Sequence, residues 1–208
     1  VFNDSVMAHF DQEWYTRFYG TPPAEQFRII IGFTNGPCNY GPSRKLTGQP
    51  KEVFAIMNYA VDDNERPIFY KKVVETVVHE FCHSFTKIKG DTEKALEKSG
   101  KALQEYTYFS MRRQAYSTWR NILEESLVRA ATICYLIDHD YDEKDIRNAI
   151  IEQVDRNFFW MPELVQTLRY YKSHRKKYPT FTSFYPEIIH FFDRYVTNME
   201  KEMKKAMK

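Results

Sequence analysis

The sequence predicts an α+β fold, with a small sheet in the N-terminal part followed by a mainly helical remainder. Three observations predict it. Strand-like runs lie early, at Phe27–Phe33 (FRIIIGF) and Glu52–Val61 (EVFAIMNYAV). The segment between them, Thr34–Ser43, is dense in Gly, Pro and Asn, as loops are. From Ile68 onward the apolar positions recur at helical spacing. This order suggests one domain over residues 1–208, with a β-containing part at 1–67 and a helical part at 68–208, its helices covering a small sheet.

The elements follow in chain order. Residues 6–19 have helical spacing and stop at Gly20, and Gly20–Pro23 reads as a turn. Phe27–Phe33 is rich in β-branched residues and reads as a buried strand. Glu52–Val61 is the second strand. Asp62–Arg66 is polar, and Pro67 is placed to open the next helix. Helices are then expected near 68–88, 93–114, 117–137, 143–156, 161–172 and 184–205. Gly90 sits where a helix C-cap glycine falls, and Asp91 is an N-cap candidate without a capping box, since Lys94 takes the Glu position.

Composition narrows the function classes. The chain has 208 residues, 43% of them apolar, which is enough for a real core. Aromatic residues reach 16%, so the core or a groove must be aromatic-rich. With 30 basic and 28 acidic residues, the net charge of +2 argues against a nucleic-acid partner. The basic clusters His174–Lys177 and Lys201–Lys208 read as a solvated loop and a helix end. No apolar run is long enough to span a bilayer. Cys38, Cys82 and Cys134 fit neither a metal knuckle nor a disulfide framework and read mostly as packed thiols.

Thr76–Phe85 reads TVVHEFCHSF and contains His79-Glu80-Phe81-Cys82-His83, an HExxH motif. Residues four apart on a helix share one face, so both imidazoles can reach one metal ion. Glu80 then projects beside the metal, where it can accept a proton from an attacking water. The uncharged flanks suit a buried helix. A hydrogen-bonded histidine pair without metal is the bland alternative, but it leaves a buried Glu with no cation to pair with.

The motif resembles the zincin metallopeptidases, and zincin-like catalytic architecture is what that resemblance implies. A metzincin would place a third His at residue 89 and a Gly at residue 86, where this chain has Lys89 and Thr86. Leu123–Val128 (LEESLV) is instead similar to the gluzincin pattern, in which a Glu on a later helix is the third ligand. That alignment implies His79, His83 and Glu125 as ligands of Zn2+, with Glu124 as competitor for the third place. Arg129 lies four residues beyond Glu125 and can hold its carboxylate. The chain is also similar to bacterial HExxH domains of unknown function, several of them exported. With a first residue, Val1, that is not Met, this suggests an exported protein of the periplasm or cell envelope.

The resemblance implies a zinc metallopeptidase acting on a peptide or protein substrate. A hydrolase of a non-peptide amide and a catalytically silent binding module are the alternatives, and the intact Glu80 speaks against the second. Zincins add a Tyr or His that stabilises the oxyanion. Tyr106, Tyr108 and Tyr116 precede the ligand helix, and Tyr185 and His190 lie in the aromatic segment after it; Tyr185 and His190 are the residues singled out. Strand 52–61 is expected beside the metal helix with one edge open for a peptide. Loop Asn35–Ser43 has glycines that allow close backbone approach, and a thiolate cap on zinc by Cys38 is disfavoured. Helices 68–88 and 117–137 are expected to pack together, with segment 178–192 as an opposite wall.

Overall fold

The computed structural model of the chain describes residues 2–20, 25–32, 34–69 and 72–207. Residues 21–23 of the expected turn, residue 33 of the first strand and residues 70 and 71 of the expected metal helix lie outside the described residues. The architecture is α+β, a small N-terminal sheet followed by a mainly helical remainder. The chain forms two compact units, Val1–Thr86 and Lys87–Lys208. The first unit reaches past residue 67 because the helix that carries the HExxH motif packs on its sheet.

The first unit opens with α1 (Phe2–Ser5), a 3-10 turn at Met7–His9 and α2 (Glu13–Tyr19), not with one helix over 6–19. The break has a local cause. Phe10 is extended, and the Asp11 carboxylate accepts the Trp14 amide at 3.2 Å, so a short polar side chain restarts the helix. Gly20 closes α2 at φ 69°, a left-handed cap that glycine adopts without Cβ strain.

Strand β1 (Glu25–Ile31) pairs in parallel with β3 (Lys51–Met57), and β2 (Ser43–Arg44) pairs antiparallel with the other side of β3. The order is β1-β3-β2. This corrects the expectation that the second strand offers a free edge. β3 is central: the Phe54 amide bonds to the Pro42 carbonyl at 2.9 Å, and the Tyr40 amide to the Ile56 carbonyl at 3.0 Å. Val53, Ala55 and Met57 are buried on one face. The strand ends earlier than residue 61 because the Asn58 amide turns to the Asn39 side chain at 2.8 Å. Residues 60–61 and 67–68 form a separate hairpin, β4 (Ala60–Val61) and β5 (Pro67–Ile68), so Pro67 does not open a helix.

Helix α3 (Val73–Cys82) is shorter than 68–88 at both ends and completes this unit. Its stripe of Val74, Val77, Val78 and Phe81 is buried, and the helix packs on β3. Strand β3 and the motif helix α3 are therefore neighbours, as the sequence suggests.

The second unit is all helical among the described residues: α4 (Asp91–Tyr106), α5 (Tyr108–Arg113), α6 (Trp119–Asp138), α7 (Glu143–Asp155), α8 (Met161–Ser173) and α9 (Phe181–Ala206). Gly90 is the N-cap residue of α4 rather than a C-cap. The expected helix 93–114 is two helices, broken at Thr107, whose hydroxyl donates to the Leu103 carbonyl at 2.7 Å. α6 is the central element, packed against α4, α7 and α8. Gly100 of α4 lets it approach: an added Cβ would meet the Trp119 ring at 2.5 Å. α9 begins three residues before the expected 184, because Thr180 and Ser183 form a reciprocal capping box.

Candidate metal centre

Helix α3 presents the motif because its other side is committed to the core. The Tyr15 hydroxyl donates to the Val78 carbonyl at 3.1 Å, and Phe81 packs against Phe10 and Phe27 with ring centroids 5.5 and 4.9 Å away. Those contacts fix the rotation of the helix and so the direction of the histidines. His83 is the C-cap residue yet keeps helical dihedrals (φ −54°, ψ −27°). The relation of residues four apart therefore survives, and the two imidazoles stand 5.0 Å apart, centre to centre. Glu80 is buried, at 6% exposure. Its backbone carbonyl lies against Gly41, where an added Cβ would come within 2.0 Å of the oxygen. Loop 35–43 thus makes the close backbone approach that its glycine content suggested.

In the second unit, α6 carries two adjacent carboxylates with different partners. Glu124 accepts the Ile88 amide at 2.9 Å and pairs with Lys87 at 3.2 Å. Glu125 is 5% exposed and pairs with Arg129, one turn on, at 2.8 Å. The guanidinium Nε faces the carboxylate in this close, charged contact. Arg129 also donates to the Tyr116 hydroxyl at 3.0 Å and to Gln153, and its guanidinium lies 5.0 Å from the Phe158 ring centre. Burial works against the Arg129 charge, but Glu125 and then Tyr116 outweigh it and hold its pKa above the ordinary value. Burial, then the charge of Glu125, pushes the Tyr116 phenol up to about 12.

His79, His83 and Glu125 each offer one ligand atom, and these atoms all lie within 4.8 Å of one another. Donors on one tetrahedral zinc at about 2.1 Å would be about 3.4 Å apart, a spacing of the same order. Two imidazoles and a carboxylate also match the chemistry of a catalytic zinc site, which takes three protein ligands and leaves a fourth position open. The residues fit a metal ion.

The remaining candidates have surroundings of their own. Tyr185 is buried on α9 and donates to the Lys87 carbonyl at 3.4 Å, beside the Glu124 contacts. Burial, then Glu124, raises its pKa well beyond the usual phenol range. His190 is exposed and lines a surface groove of about 420 Å³ with Glu163, Tyr170, Glu187 and Arg194 of α8 and α9. It does not join the His79, His83 and Glu125 group. Cys38 is exposed, whereas Cys82 and Cys134 are buried thiols. Among the three upstream tyrosines, Tyr116 reaches the Glu125 surroundings; Tyr106 and Tyr108 are exposed at 42% each. Gln153 and Phe158 carried no sequence signal, since their meeting with Arg129 depends on the path of α7.

No curated protein and no solved structure matches the chain. Residues 1–191 match the model of a family described as a domain of unknown function, DUF4932, and the chain belongs to that family.

Proposed function

We propose that the chain is a zinc-dependent hydrolase of peptide bonds, with His79, His83 and Glu125 holding the metal and Glu80 acting as general base. One observation carries this reading: two histidines four residues apart and a buried carboxylate from a distant helix offer their ligand atoms within 4.8 Å. Zinc at such a site supplies Lewis acidity, making water more acidic and polarising a substrate carbonyl. The protein residues do the rest. Glu80, next to the first ligand and shielded from bulk water, accepts a proton from the attacking water and passes it to the leaving amine. Arg129 offsets the charge of Glu125, so the carboxylate does not cancel the positive field a carbonyl oxygen needs. The peptide substrate rests on the resemblance of the ligand set to that of the gluzincins.

The test combines elemental analysis with digestion of a broad peptide library. One zinc per chain is expected, and Glu80→Gln should keep the metal while turnover falls by about 10²–10⁴-fold. Protein that neither holds zinc nor gains thermal stability from it would overturn the proposal. Retained turnover in Glu80→Gln would remove Glu80 from its role, and cleavage confined to non-peptide amides would change the substrate class.

A further inference from the structure

The chain spends two unusual backbone turns around one arginine. Ala115 closes α5 with φ 67°, a left-handed conformation that crowds the Cβ of an L-residue. Its reward is geometric: the Tyr116 amide bonds back to the Met111 carbonyl at 2.9 Å, which fixes where the Tyr116 side chain starts. Asn157 does the same for α7, with φ 68° and the Phe158 amide on the Gln153 carbonyl at 3.0 Å. The two turns are tied together, since the Gln114 side chain donates to the Arg156 carbonyl at 2.9 Å. They deliver Tyr116 and Phe158 to Arg129, with their rings edge to face at 5.9 Å.

We propose that Tyr116 is a positioning residue for Glu125, acting through Arg129 to fix the orientation in which the carboxylate meets the metal. The inference rests on the metal reading above. Its physical basis is the planar guanidinium, which holds three partners at once only in one orientation. Nη2 is taken by Tyr116, Nη1 by Gln153, and Nε is left to face Glu125. Gln153 is itself aligned, because its amide nitrogen donates to the Ala149 carbonyl at 3.1 Å, turning its oxygen toward Arg129. Phe158 covers one face of the cation. Without the phenol hydroxyl, Arg129 loses one of these restraints, and Glu125 loses its fixed direction. All of these residues belong to the second unit, so the device is complete within it.

The experiment measures zinc affinity by competition with a chelator, and the visible spectrum of cobalt-substituted protein, for the whole chain and its variants. Tyr116→Phe removes one oxygen and keeps the ring. It should weaken zinc binding about tenfold, at the lower end for outer partners of metal ligands. It should also change the cobalt band intensities, which follow ligand geometry and which a merely structural role would leave alone. Arg129→Lys should weaken binding further, because an ammonium cannot present the three-way fork; if that variant does not fold, Tyr116→Phe decides. Wild-type affinity and spectrum in Tyr116→Phe, with weakened binding in Glu125→Ala, would overturn this inference and leave the metal reading standing. Undiminished zinc binding in Glu125→Ala would overturn both.

Discussion

Glu124 and Glu125 are chemically identical neighbours whose fates are set by direction. About 100° of helix rotation separates them. One turns to the Ile88 amide and Lys87, the other to Arg129. Glu124→Ala should therefore keep zinc but lose roughly 1–3 kcal/mol of stability through the abandoned amide. Glu125→Ala should show the opposite emphasis, with weakened zinc binding. Zinc titrations and thermal melts on both variants check this, and zinc lost from Glu124→Ala alone would exchange the assignments. A second carboxylate gives a pH signature. Glu52 is 7% exposed because Arg44 and Arg28 cover it from the flanking strands, not because it lies deep. Arg44 first, then Arg28, holds its pKa below the ordinary 4.5. With the folded value below the unfolded one, this contribution is present above pH 4.5 and fades as the pH falls through the lower folded value. Glu52→Gln should thus be less stable than wild type at pH 7, with the gap closing on acidification; equal acid-unfolding curves would refute it.

At the scale of elements, the position of α3 depends on what touches its backbone as well as on its apolar stripe. Gly41 permits loop 35–43 to lie on the Glu80 carbonyl. Gly41→Ala must push the loop or the helix aside, at a cost of about 1–3 kcal/mol for overpacking. A melting temperature lower by several degrees is expected, together with reduced turnover, since Glu80 sits on the displaced segment. An unchanged melting temperature would mean that the loop yields freely. The helical spacing of residues 6–19 is realised as short pieces rather than one helix, because the Asp11 side chain takes the Trp14 amide and restarts the chain there. The same competition moved the start of α9, where Thr180 caps the chain before the first strongly periodic residue.

For the whole molecule, a metal that binds the folded chain and not the unfolded one adds stability by mass action. At a free zinc concentration 1,000 times the dissociation constant, the gain is about 4 kcal/mol. Treatment with a chelator should lower the melting temperature by many degrees and readdition of zinc restore it, a cycle followed by calorimetry; a chelator without effect would count against the metal. The sequence by itself determined the α+β order and the His79, Glu80 and His83 constellation, because helical spacing is a local property that four residues suffice to express. It left Glu124 and Glu125 in competition, since the Ile88 amide that claims Glu124 lies 36 residues upstream, beyond the reach of any local pattern. It also left β3 with a free edge, which the return of Ser43–Arg44 removed. Tyr116, Gln153 and Phe158 gather on Arg129 from positions 13, 24 and 29 residues away, through the paths of α5, α6 and α7. That meeting belongs to the tertiary structure alone, because no periodicity in the chain encodes which turns will be brought side by side.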